Sequence, residues 1–316
     1  MITPLDVRIE AFLAKTCVFC QPWWLDTVSP NQWDVVIVER GGEVAAALPY
    51  AYKMRLGRHL LMEMPRLTPY LGPWRRDLTS QYESRRVGEE HALFAELIHK
   101  LPKVSTFHHG FHPSVTDWLP FYWQGFEGTT HYTYVIQDLS DPDRVMGDFS
   151  HAKRKNVKRA RQLVEVREDL PSWEFYRHLA RTLKKKGSDV AYSWEFFNRF
   201  YDACYQHQAG KAFHAVDGAN KVHSAIFIVY DKKTAYYLIS SIDPDFTASG
   251  SMSLLVLEAI RFLSTRTLQF DFCGSMIDTI ERSSREFGGK QTPHLMVHKT
   301  PSAIVRGYRA LWKLAH

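Results

Sequence analysis

The sequence predicts an α/β protein of the α+β kind, built as two successive domains, 1–140 and 141–316, each a mixed, mostly antiparallel sheet flanked by helices. Three observations predict it. A chain of 316 residues fits two domains of roughly 150 residues better than one. Both halves run through one series: helix, two or three antiparallel strands, loop, helix, strand, short helix, strand. The second half also carries an unbroken order of strand, strand, loop, helix, strand, loop, helix between Val222 and Gly289.

The first half opens on a helix near Asp6 to Lys15, followed by QPWWLDTV and a strand pair around the turn Arg40-Gly41-Gly42-Glu43. MPRLTPYLGPW is broken by prolines and suits neither a helix nor a central strand. ESRRVGEEHALFAELIHKL repeats Ala92, Leu93, Leu97 and Leu101 at helical spacing. A strand VSTFHHGFH, a helical or turn stretch DWLPFYWQGF and a strand THYTYVIQDL close this half, and Ser140-Asp141-Pro142 reads as the joint. In the second half, helices are expected over Asp143 to Val164, Ser172 to Lys186 and Ser193 to Gln208. Strands AFHAVD, VHSAIFIVYD and KTAYYLISSID follow, then the loop PDFTASGS, the helix MSLLVLEAIRFLS and the strand TLQFDFCGS. A short helix IDTIERSSREFG, a strand HLMVHKTP and a helix from Ser302 to Leu314 end the reading.

Composition narrows the class. Hydrophobic content of 45% with 23% charged residues is that of a folded globule, so disorder is excluded. No apolar run approaches the ~18 residues of a membrane span, and MITPLDVRIEAF has no basic-then-apolar leader pattern. A cytoplasmic location is therefore expected. A net charge of +6 is compatible with an anionic substrate and far too small for a nucleic-acid-coating protein. Cys17, Cys20, Cys204 and Cys273 are too scattered for a disulfide framework. The histidines do not form a metal set: in a strand His108 and His112 share a face, His109 takes the other, and no carboxylate stands at ligand spacing. No metal is expected. His214 and His223, on neighbouring strands, are weaker site candidates. GxSxG, P-loop and HExxH patterns are absent, which leaves hydrolase, NTPase and zincin readings without support.

The chemistry points to a phosphate-bearing donor. The small residues Ala248, Ser249, Gly250 and Ser251, with Met252, lead directly into a helix, where unpaired amides and the helix dipole favour an anion. The same residues also suit an ordinary N-capped core helix. The segment His151 to Arg161 carries six Lys/Arg and no acid. Lys153, Arg154 and Lys158 are candidates for binding a phosphate-bearing acceptor, with a solvated surface face as the alternative. Val157, Ala160 and Val164 turn towards a core. Transfer to an amine requires removal of a proton. Asp271 stands mid-strand between Phe270 and Phe272, where a carboxylate lines a cleft or is held by internal bonds. Tyr237 is a candidate proton donor to a leaving group.

These residues resemble the Gcn5-related N-acetyltransferase (GNAT) superfamily, and the doubled arrangement resembles its Fem-type, peptidyltransferase-like branch. The resemblance rests on Phe149 to Ala160, similar to that branch's R-N-I-R-K-A helix, on Phe270-Asp271-Phe272-Cys273-Gly274-Ser275, and on Glu286-Phe287-Gly288-Gly289. It implies two tandem GNAT-like domains, the second carrying the acyl-donor site and the first, degenerate, forming part of an acceptor groove between them. Fem-type chains close with F-K-x-x-F-G, and here Ser284 stands where that lysine would be. This disfavours aminoacyl-tRNA as donor, although Arg282, Arg285 or Lys290 offers a nearby cation. The loop also lacks the Q/R-x-x-G-x-G/A signature, so acyl-CoA is one donor among others. The expected function is N-acyl or aminoacyl transfer to an amine on a phosphate- or sugar-bearing acceptor, itself a small molecule. Ser275, Arg282 and Arg285 would contact the acceptor, and Trp24 and Tyr70 would suit its sugar or a lipid-like part. The alternatives are a non-catalytic binding or scaffold protein that keeps the fold, and an RNA-binding protein using the 151–161 helix.

Overall fold

The computed structural model describes residues 5–55 and 59–301. The expected helix from Ser302 to Leu314 lies outside the described residues. The chain forms α1 (Val7–Leu13), α2 (Pro22–Val28), β1 (Trp33–Arg40), β2 (Glu43–Arg55), β3 (His59–Met62), β4 (Trp74–Arg75), α3 (Glu83–Lys100), β5 (Thr106–Gly110), α4 (Leu119–Trp123) and β6 (Glu127–Ile136). It continues through α5 (Pro142–Asp148), α6 (His151–Leu163), β7 (Glu165–Glu168), α7 (Ser172–Lys185), α8 (Trp194–Gln206), β8 (Gly210–Val216), β9 (Val222–Tyr230) and β10 (Thr234–Ile242). A 3₁₀ turn (Pro244–Ser249), α9 (Ser251–Leu263), β11 (Gln269–Asp271), α10 (Asp278–Arg285) and β12 (Lys290–Lys299) complete it. The result is an α+β fold with mixed, mostly antiparallel strand pairing and flanking helices.

Two compact units are present. One holds the described residues up to His131 together with those from Pro293 on, and the other holds Tyr132–Thr292. In the first, β1 and β2 form the hairpin read at Gly41-Gly42, β2 pairs antiparallel with β3, and β3 pairs parallel with β5 (Leu61↔Thr106, Met62↔Phe107). β12 then closes this sheet against β5, with Met296↔Gly110 and His298↔His108. In the second, β7, β8, β9 and β10 run antiparallel in order, β11 lies parallel to β10, and β6 closes the sheet against β11 through Phe270↔Ile136. Each unit's sheet thus includes a strand from the other half of the sequence, β12 beside β5 in the first and β6 beside β11 in the second. The cores are distinct: Val38, Leu48, Phe94, Phe107, Phe111 and Phe121 anchor the first, and Val157, Ile226, Leu255, Ile260, Phe270 and Phe287 the second.

Three local differences from the sequence reading have plain causes. The helix expected over Asp143 to Val164 is two helices, because Phe149 is extended and fully buried and Ser150 starts a new N-terminus. The Ser150 Oγ accepts from the Lys153 amide at 3.2 Å. Ser150→Ala is accordingly expected to lower stability by about 1 kcal/mol, read from urea unfolding, with Ser150→Asp restoring most of it. The strand β7 is short, charged and paired on one side only, so no apolar alternation announces it. α9, which suited an ordinary N-capped core helix, starts at Gly250 with no side-chain cap and is buried nearly all round: Leu254, Leu255, Val256, Leu257, Ala259 and Ile260 are each no more than 3% exposed. Among the described residues no helix is long and apolar enough to cross a membrane.

Candidate active site where two parallel strands part

β10 and β11 stay in register for only three residue pairs, Thr234↔Gln269, Ala235↔Phe270 and Tyr236↔Asp271. Beyond these, β10 runs on beside β9 alone, with a bulge between Tyr237 and Ile239. β11 stops at Asp271, and the chain turns away through Cys273 and Gly274, both at positive φ (58° and 64°). The two strands therefore separate at their carboxyl ends, next to the N-terminus of α9, which links them. Crevices of this kind, outside the carboxyl ends of parallel strands, are the usual ligand positions in such sheets.

The two candidate catalytic side chains do not meet. Asp271 stands opposite Tyr236 in the ladder and so shares its face, while Tyr237 takes the other, with its ring 5.7 Å from Phe272 and 6.2 Å from Phe270. Asp271 is 2% exposed and accepts from the Thr133 hydroxyl and from the Cys273 amide at 2.7 Å. These bonds end the strand and fix the turn. The half-buried Tyr237 donates its hydroxyl to the Met252 thioether at 3.0 Å. Burial raises its pKa to about 12, so it keeps its proton at neutral pH.

The small-residue loop is closed by α6. A Cβ on Gly250 would lie 2.5 Å from the Asn156 carbonyl oxygen, and Arg159 donates to the Ala248 carbonyl at 2.5 Å. Ser249 and Ser251 are buried in a hydroxyl chain with Ser224, at 2.9 and 2.8 Å. The amides of Ser251, Ser253 and Leu254 are bonded within the loop, the first to Ser249 Oγ and the others to the Gly250 carbonyl. Most of the donors that would hold a phosphate are spent locally, and the glycine serves a close helix contact. The sequence shows the small residues but not what they approach.

The basic helix divides by role. Arg154 donates to the Gly147 and Phe149 carbonyls, closing the end of α5, while Lys155 and Lys158 are exposed. Lys153 is only 8% exposed, and desolvation lowers its pKa. Its inward position was legible: Lys153, Val157 and Ala160 form one helical stripe at spacings of four and three. Ser275 Oγ accepts from the Ile277 amide at 3.1 Å, Arg282 is exposed, and Arg285 lies 3.5 Å from Glu281. Trp24 and Tyr70 correct the expectation of acceptor-facing aromatics. Both are 0% exposed within the first unit, Trp24 donating to Thr68 Oγ1 at 3.0 Å and Tyr70 edge-on to His294 at 5.1 Å. Large rings bury the most apolar area, and packing claimed them. His214 and His223 are likewise buried. Among the described residues no group of three His, Cys, Asp or Glu is placed to hold a metal ion.

Comparison with known proteins agrees with this architecture. A family model described as an acetyltransferase (GNAT) domain matches residues 151–279. No curated protein sequence matches the chain. Among solved structures, FemX aligns over 93% of this chain and 96% of its own, with a TM-score of 0.64 at 13% identity. A conserved protein of unknown function from Bacteroides thetaiotaomicron aligns over 87% and 88%, with a TM-score of 0.55 at 11% identity. The C-terminal domain of a putative lysylphosphatidylglycerol synthetase from Agrobacterium fabrum aligns over 87% and 86%, with a TM-score of 0.50 at 11% identity. At these identities the likeness is one of fold, and the fold is GNAT-like.

Proposed function

We propose that the chain is a GNAT-type acyltransferase of the tandem, Fem-like kind, moving an acyl or aminoacyl group onto an amine of a phosphate- or sugar-bearing acceptor. The observation that carries this reading is the parting of β10 and β11 after Asp271, inside the segment matched by the acetyltransferase model. Past Tyr236, the edge of β10 that faced β11 has no strand beside it among the described residues, so its backbone groups are open to an extended, amide-bearing donor arm. Catalysis of this kind rests on holding amine and acyl carbon together and on stabilising the charge that develops on the carbonyl oxygen. Tyr237, protonated at neutral pH, is the group in the crevice able to donate a proton to a leaving thiolate or alkoxide. Asp271, held by Thr133 and Cys273, supports the strand end, and the amine's proton leaves through water. The closed loop at Gly250 argues against a donor anchored there by its pyrophosphate. A putative lysylphosphatidylglycerol synthetase among the fold relatives supports the phosphate-bearing acceptor class.

Thermal unfolding with acetyl-CoA, a long-chain acyl-CoA, free CoA and a non-hydrolysable aminoacyl-tRNA analogue tests the donor site. One donor at 100-fold over its Kd is expected to add about 2.7 kcal/mol. Leu238→Trp, at the bulge, is expected to abolish that gain. Absence of any shift in a folded protein would replace this reading with the non-catalytic binding protein.

A further inference from the structure

Lys153 is a buried cation with hydrogen-bonding capacity to spare. Its Nζ donates to Ser283 Oγ at 2.9 Å, lies 3.8 Å from Glu286 Oε2 and 4.3 Å from the centroid of the Phe287 ring. An ammonium carries three N–H groups. Among the described residues only the serine is within hydrogen-bond distance, and the half-exposed Glu286 stands too far off to take a second. Burying a cation with donors unspent is costly, and lysines able to reach water do so. Lys155 and Lys158 on the same helix are exposed, whereas Lys153 is directed inward from the Val157–Ala160 stripe. Its location also matters. Phe287 stacks at 5.2 Å on Phe272, the residue that follows β11, so the ammonium stands one ring away from the strand end where β10 and β11 part. Ser283 and Glu286 are only half-buried, which leaves the group approachable from the α10 side.

We propose that Lys153 and Ser283 form a subsite for an anionic oxygen of the substrate, a carboxylate or a phosphate. The inference rests on the reading of the β10–β11 crevice as the substrate site. Lys153 contributes two N–H donors and a charge that Glu286, 3.8 Å away, offsets only in part, Ser283 orients the ammonium, and Phe287 packs over it so that the pairing is strong.

The test is thermal unfolding at constant ionic strength, with chloride exchanged stepwise for acetate or for inorganic phosphate. Wild type and the exposed-lysine control Lys155→Met are expected to respond to one of the two anions. Which one responds identifies the source as carboxylate or phosphate. Lys153→Met, a buried neutral replacement of similar length, is expected to weaken the response about tenfold or more, and Ser283→Ala to weaken it less. Lys153→Met that unfolds leaves Ser283→Ala to decide. An undiminished response in Lys153→Met, or in Ser283→Ala if the first does not fold, overturns the proposal, as does folded wild type indifferent to both anions. Because the readout is anion binding, it fails independently of donor binding: an anion response without a donor shift would sink the acyltransferase reading and leave the subsite standing.

Discussion

Gly250→Ala is expected to destabilise the protein by about 2–5 kcal/mol, and Gly274→Ala by a similar amount. Both glycines sit at positive φ, 77° and 64°, where a side chain costs about 1–2 kcal/mol by itself. The remainder comes from what the new methyl would strike. At Gly250 it meets the Asn156 carbonyl oxygen at 2.5 Å and that residue's Cα at 2.9 Å, and at Gly274 it meets the Tyr132 carbonyl oxygen closer still. These are backbone atoms and cannot swing aside, so either α6 or the β6 segment must shift, at roughly 1–3 kcal/mol for overpacking. Gly41→Ala is the internal standard: its φ is 61° and nothing lies within 4 Å of the added carbon, so only the conformational part applies. Urea unfolding of the three variants separates the contributions. A Gly250→Ala protein as stable as Gly41→Ala would show that α6 does not close the loop.

Stability is expected to fall steeply as pH drops from about 6.5 to 4.5. Burial lowers the pKa of His109 to about 3 and those of His178 and His294 to about 4, from 6.5. Their Nε2 (His109) and Nδ1 (His178, His294) atoms are buried without a hydrogen-bond partner. The sign follows from proton counting: in this window the unfolded chain binds protons that the folded chain refuses, so acid favours unfolding. Two pH units correspond to about 2.7 kcal/mol for each such group, an upper bound that three of them would bring close to the whole stability of a domain. The loss from His178 and His294 is complete below about pH 4, and that from His109 below about pH 3. His109→Phe, which keeps the ring stacked at 5.1 Å on Phe107, is expected to reduce the slope of unfolding free energy against pH. An unchanged slope would mean that His109 is not a site of the proton uptake.

What the sequence made legible follows from the range of the interactions involved. α3, α9, β9 and β10 are long segments with strong apolar periodicity, and they stand where that pattern put them. The pairings β3–β5, β6–β11 and β12–β5 depend on residues far apart in the chain, and nothing local encodes them. The same limit shaped the site. Small residues before α9 were visible, yet whether Gly250 admits a phosphate or another backbone depends on Asn156, ninety-odd positions earlier. Asp271 was correctly a polar group in an apolar strand, but its partners, Thr133 and the Cys273 amide, decide that it holds the turn. Lys153 was legible as a basic candidate, and the helical stripe it shares with Val157 and Ala160 marked it as inward-facing, but its partners Ser283 and Glu286 lie some 130 residues later and no local pattern names them.

The exchange of closing strands has a consequence for how the protein is made. β5 is complete once Gly110 has been synthesised, but its partner β12 appears about 180 residues later, roughly 10–40 s at ordinary elongation rates. For that interval the nascent chain presents a row of unpaired backbone groups along β5, the kind of edge that recruits other chains. β6 waits in the same way for β11, about 130 residues later, a shorter interval. The first sheet is thus begun first and closed last, and the vulnerable species in the cell is a long nascent chain whose β5 edge is still open.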